Sequence, residues 1–298
     1  MRVALLRSTI FLVTADDALD LRPVVQPVID RSLRSNFQRQ LEGIDLEVLG
    51  DEGRRLVDAS PRTFAELGAA LAATRPGADP QALAIAVRAQ VALAQVPPRG
   101  LWGRGGPARH AALDSWVGRP LRALPTAEAR VAATEAMVER YLRAFGPASS
   151  ADIRVWCGLP LAVLRPAIDR MRPRLVAYRN EAGQELLDLP AAPRPDPGVP
   201  APVRFLPEYD NALLSHAGRD RIIAGHHREA VFTRGALLID GFVEGAWTLR
   251  NPTGHAVLEI DTFSPLAPRT RSRVVAEAER LLDFGAATGR TRRISLTE

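Results

Sequence analysis

The sequence predicts an α+β protein: tandem winged helix-turn-helix modules followed by a β-rich C-terminal module with a terminal helix. Three observations predict it. A helix, helix, hairpin pattern occurs twice in the first two-thirds of the chain, a proline-dense stretch interrupts the chain near residue 190, and the residues beyond it form strand-like runs. At 298 residues, 46% of them hydrophobic and 24% charged, the chain can bury a large core, and its length suggests about two domains.

Residues 1–58 precede the first copy of the repeat. Their opening, MRVALLRSTIFLVTADD, has the outline of a signal peptide, but Arg7 splits the apolar run and TIFLV is short. No segment reaches the apolar length that a bilayer demands, so a cytoplasmic protein without membrane contact is expected.

Residues 59–128 read as the second module. In SPRTFAELGAAL, Thr63 precedes Glu66 at capping-box spacing, and a short helix follows with Gly68 near its end. A second helix, PQALAIAVRAQVALAQ, leads into the turn-rich wing VPPRGLWGRGG. Residues 129–190 repeat the plan as a third module. Met137, Val138, Tyr141, Leu142 and Phe145 mark one buried helical stripe. GPASSADIRVWCG then sets Ser149 or Ser150 ahead of Asp152 and ends near Gly158, and LPLAVLRPAIDRM supplies the next helix. LVAYR and ELLDL flank the turn NEAGQ, where Gly183 provides positive φ. Pro166 either interrupts the recognition helix or starts it, and the sequence leaves both open.

The connector, 191–203, lies in PAAPRPDPGVPAP, whose prolines forbid helix interiors and central strands. In 204–298, AVFTRGALLIDGFVEGAWTLR and HAVLEIDTF read as strands, 270–284 as an amphipathic helix, and GRTRR as a basic tail.

Composition narrows the chemistry. The single cysteine, Cys157, excludes an internal disulfide framework and a cysteine-based zinc cluster. All 39 basic residues are arginine, which reads as a coding bias, so the net charge of +5 permits a phosphate-rich partner but does not establish one. No GxSxG elbow occurs, and GLWGRGG lacks the Lys-Ser/Thr of a phosphate loop, so no cofactor is expected.

PEYDNALLSHAGRDRIIAGHHR gathers His216, His226 and His227 with Glu208, Asp210 and Asp220. Adjacent His226 and His227 share no face, and His216 with Asp220 is one pair at i, i+4, so no metal is expected. Asp210 and Asn211 suit the cap of the following helix, ALLSHAGRDRII. Glu208 and Asp210 beside Tyr209 are the candidate catalytic acids, since a carboxylate next to an aromatic ring can activate water or move a proton. For DNA contact, the wing offers Arg99, Trp102 and Arg104, and the third module offers Arg165, Arg170, Arg172 and Arg174. Arg7, Thr9 and Arg88 complete the candidate contacts.

RSTIFLV, VPPRGLWGRGG, PVRFLPEYDNALLSH and GHHREAVFTRGALLIDGFVEGAW together resemble the winged-helix DNA-binding proteins related to AlkZ DNA glycosylases, over nearly the whole chain. The resemblance implies tandem winged-helix modules and a β-rich module around a DNA-binding channel. In some members it implies metal-independent cleavage of the N-glycosidic bond. Two departures stand out. The glutamine–apolar–glutamine motif of the active branches belongs upstream of RSTIFLV, where this chain begins, and Gln38-Arg39-Gln40 is downstream with a charged centre. Phe11 also stands where relatives often carry histidine. The resemblance therefore implies that Met1 is an internal start, or that residues 1–58 are a partial, N-terminally truncated first winged-helix module. The expected function is a monomeric protein that binds double-stranded DNA, with a place in DNA repair. The alternatives are a monofunctional glycosylase that excises alkylated purines or unhooks crosslinks, and a scaffold or regulator without DNA contact.

Overall fold

The computed structural model describes residues 1–102, 104–227, 229, 233–251, 255–286 and 291–297, with only the backbone of His226. They form two compact units, Met1–Ala192 and Pro193–Glu298. Among the described residues no helix is long and apolar enough to cross a membrane.

The first unit opens with a hairpin, β1 (Arg2–Ala4) and β2 (Ile10–Leu12), followed by α1 (Ala15–Val24), α2 (Gln26–Phe37) and α3 (Leu46–Ala59). Then come β3 (Arg62–Thr63), α4 (Phe64–Ala72), α5 (Pro80–Gln90), β4 (Leu93–Val96), β5 (Arg109–Ala112) and α6 (Leu113–Val117). The strands form one antiparallel sheet in the order β2-β1-β4-β5-β3, so the opening hairpin extends the sheet of β4 and β5. From α3 to β5 the order is helix, strand, helix, helix, hairpin.

The capping signal at Thr63 holds. Its Oγ1 accepts from Glu66 N at 3.1 Å, and Glu66 Oε2 accepts from Thr63 N at 2.8 Å. Gly68, however, does not sit near the end of its helix, because α4 continues to Ala72. A Cβ at Gly68 would run into the Pro80 carbonyl oxygen, so this glycine lets α4 cross close to the start of α5.

The same order recurs in α7 (Ala127–Phe145), α8 (Ser150–Cys157), α9 (Leu161–Met171) and the hairpin β6 (Val176–Arg179) and β7 (Glu185–Asp188). Ser149, rather than Ser150, is the cap of α8, with Asp152 reciprocating at 2.8 Å. Met137, Val138, Tyr141 and Leu142 are buried, as the stripe predicts. Pro166 lies inside α9. The carbonyl it leaves without a helical partner is that of Ala162, and both residues are exposed to water. Both repeats contribute to one apolar core, which includes Leu67, Leu83, Leu113, Tyr141, Ile153 and Leu164.

In the second unit β8 (Arg204–Leu206), β9 (Gly235–Ile239), β10 (Phe242–Arg250), β11 (His255–Thr262) and β12 (Thr291–Thr297) form a five-stranded sheet. β12 pairs in parallel with β11, and the other neighbours are antiparallel. The basic run GRTRR is thus not a tail: its described residues, 291–293, begin β12. α11 (Pro268–Gly285) buries Val274, Ala278 and Leu282 with Leu237, Leu258 and Ile260 of the sheet. Asp210 caps α10 (Asn211–Leu214), which is one turn long and not the longer helix that the sequence suggested. Residues 230–232 of the first strand-like run lie outside the described residues.

Candidate nucleic-acid interface

Residues 97–108 join β4 to β5 and form the wing of the first repeat. Across the sheet that carries it, Leu12, Arg2, Gln95 and His110 stand side by side, and Arg2 Nε donates to Gln95 Oε1 at 3.1 Å. The loop folds back over this row. Gly100 has φ +91°, a conformation that favours glycine, and it lies close enough to Arg2 that a Cβ there would be 2.6 Å from Arg2 Cδ. Leu101 N donates to the Pro98 carbonyl at 3.2 Å, Arg104 N to the Leu101 carbonyl at 3.0 Å, and Arg99 Nη1 to the Gly106 carbonyl at 2.6 Å. This bonding turns two apolar side chains outward: Leu101 is 53% exposed and Trp102 73% exposed. Trp102 is therefore not a core residue of a tight hairpin. Arg99 and Arg104 are exposed beside it, whereas Arg109 is held by the Pro61 carbonyl and Glu66, both at 2.7 Å.

α5, the would-be recognition helix of this repeat, is covered. Ala82, Leu83, Ala84, Ala86 and Val87 are fully buried, and α2, α3 and α4 pack around it. Arg88 turns into this packing, its guanidinium 6.0 Å from the Phe64 ring, and burial lowers its pKa. Phe64 stacks in turn on His110, with ring centroids 4.1 Å apart. Burial pushes His110 down to about 4, which the Arg62 backbone opposes and the Arg88 charge reinforces. A groove contact through Arg88 does not fit this geometry.

The candidates Arg7 and Thr9 serve the hairpin they stand on. Arg7 donates to the Trp156 carbonyl and lies 5.4 Å from the Phe11 ring centroid, which braces β1 and β2 against α8. Thr9 is exposed, and its hydroxyl donates to the Leu6 carbonyl at 3.1 Å.

α9 exposes a face with Leu161, Ala162, Arg165 and Asp169. Carboxylates engage the other candidate arginines. Arg170 and Arg174 both pair with Glu135, at 2.7 and 2.9 Å, and Arg172 grips Glu185 in two bonds of 2.8 and 3.1 Å. The Glu185 partner raises the Arg172 pKa, and Arg172 lowers that of Glu185. Arg165, Arg172 and Ser150 share a shallow cleft between α8 and α9.

In the second unit, Tyr209 has φ +59° and is exposed, and Asp210 Oδ1 accepts from Ala212 N at 2.8 Å. Buried His216 bonds through Nδ1 to Ser215 Oγ and through Nε2 to Arg221, each at 2.9 Å. His227 stacks on Phe263 at 3.9 Å. The side chain of His226 lies outside the described residues. Among the described residues no three His, Cys, Asp or Glu side chains are grouped to hold a metal.

Three features were missed from sequence. Arg2 as the prop under Gly100 depends on strand register, and the Glu135 and Glu185 clamps depend on tertiary packing. Leu101 was legible, because two successive bulky apolar residues in a glycine-rich turn have no local core to enter.

The family model described as DNA glycosylase AlkZ-like matches residues 1–284. No curated protein matches the sequence. Among solved structures, the chain is similar to the Streptomyces sahachiroi DNA glycosylase AlkZ, with a TM-score of 0.73 and 19% identity over 100% of this chain and 81% of that one. At that identity the likeness establishes a shared fold.

Proposed function

The chain belongs to the AlkZ-like DNA glycosylase family, and from that premise we propose that it binds double-stranded DNA through its winged-helix modules and hydrolyses the N-glycosidic bond of alkylated purines. The observation that carries the DNA contact is the β4–β5 wing, which holds Arg99 and Arg104 at the surface on either side of an exposed tryptophan. Guanidinium groups of this kind bind phosphates without reading sequence. In the other repeat, Arg165 and Arg172 supply a second cationic point. The Arg172–Glu185 pair is exposed, so a phosphate can replace the carboxylate at little cost.

An alkylated purine already carries positive charge, which makes it a good leaving group. The C1′–N bond breaks with its electron pair going to the base. Water then adds to C1′ and loses its proton to a carboxylate. Asp210 is committed to the cap of α10, which leaves Glu208 as the carboxylate of this reading. DNA binding without catalysis is the second reading. It is supported by Arg99 and Arg104, which are exposed on the β4–β5 loop and can hold phosphates whether or not a base is released.

The two readings separate in one pair of assays. Duplex affinity is expected to fall log-linearly with salt, with a slope of about −3 for three or four neutralised phosphates; a flat response would exclude backbone contact. A duplex containing N7-methylguanine is expected to yield alkali-labile abasic sites that are lost in Glu208→Gln. Binding without abasic sites would leave only the second reading.

A further inference from the structure

We infer that Leu101 and Trp102 are a wedge that enters the stacked bases and occupies the space of the nucleotide drawn out for reaction. The inference rests on the proposed action on duplex DNA. An enzyme that works on a base within a duplex must extrude it, and unstacking costs a few kcal/mol that the protein has to offset. Apolar side chains inserted between base steps are one way to do so.

The wing has the properties that this work requires. Its two exposed side chains are consecutive, one aliphatic and one aromatic, so they can part a step and then stack on the base left behind. They are also held in place before DNA arrives. The Pro98 carbonyl anchors Leu101 N, the Leu101 carbonyl anchors Arg104 N, and Arg99 closes the loop onto Gly106. Gly100 lies on Arg2, whose side chain is fastened to Gln95 of β4, so the load on the tip passes into a five-stranded sheet. Arg99 and Arg104 flank the tip where phosphates on either side of an opened step would lie. The pair is exposed between two cations, and a polyanion is the partner whose charge matches them.

The test uses a duplex with 2-aminopurine at a central thymine–2-aminopurine step, which is easily unstacked. Full-length protein is added to saturation, and fluorescence is read alongside anisotropy of an end label. The expected result is a several-fold rise in 2-aminopurine emission, lost in Leu101→Ala/Trp102→Ala at saturating concentration and largely kept in Trp102→Phe. Arg104→Ala, which keeps both the Arg104 backbone bond and the Arg99–Gly106 closure, is expected to reduce the salt slope by about one while keeping the emission rise at saturation. Binding without any rise, or a rise that survives the double substitution, overturns the wedge and leaves DNA binding intact. No binding at any salt concentration overturns both.

Discussion

A single ring shows how the sheet under the wing depends on protonation. His110 is 4% exposed, stacked on Phe64 and close to the Arg88 charge, so its neutral form is the one that fits. Its pKa falls from an ordinary 6.5 to about 4 in the folded protein. The unfolded chain therefore binds the extra proton first on acidification. The contribution is fully present above pH 6.5 and declines as pH falls toward 4. Between pH 7 and pH 5 this group is expected to lower stability by about 2 kcal/mol. Urea unfolding of wild type and His110→Phe at both values checks it, since phenylalanine keeps a ring on Phe64 and removes the titration. Equal losses in the two proteins would show that other groups dominate. Arg22, 3% exposed, is the contrasting case. Burial lowers it to about 10, yet it stays charged at neutral pH while donating to the Arg88 and Ala89 carbonyls at the end of α5.

At the scale of elements, what was legible follows the range of the forces involved. Both capping boxes, the stripe on α7 and the β6–β7 turn at Gly183 are local, and the residues that specify them lie within a few positions of each other. The unbroken apolar run ALAIAV makes the burial of α5 legible, but not what covers it, because α2 and α3 come from earlier in the chain. That is why Arg88 reads as a DNA contact in sequence and stacks inward in the structure. Gly68 misled for the same reason: a glycine late in an apolar run suggests a helix end, while here it admits the Pro80 carbonyl. Gly68→Ala is therefore expected to destabilise by roughly 1–3 kcal/mol from overpacking, against a helix-propensity gain of about 1 kcal/mol. An unchanged denaturation midpoint would show that α4 and α5 can separate without loss.

For the whole molecule, the excess of arginine says less than its placement. Arg54, Arg75, Arg119, Arg140, Arg204 and Arg234 each face a carboxylate, so net charge is a poor map of where DNA would bind. The second unit begins at Pro193, and residues 193–200, which open it, are exposed. A protease site inserted after Gly198 is expected to be cut rapidly under native conditions, leaving two fragments with slow amide exchange in their sheets. Loss of protection in either fragment would show that it needs the other in order to fold.

Cys157 has a practical consequence at this same scale. It is fully buried at the end of α8, and burial pushes its thiol up to about 11, so at neutral pH it offers almost no thiolate to an electrophile. It is also the only cysteine in the chain. A cysteine introduced at Gly105, where a Cβ meets nothing within 4 Å, would be the sole thiol to react with a maleimide dye. The native protein thus already supplies the chemically silent background needed to place a fluorophore beside the wing and follow its arrival on DNA in real time.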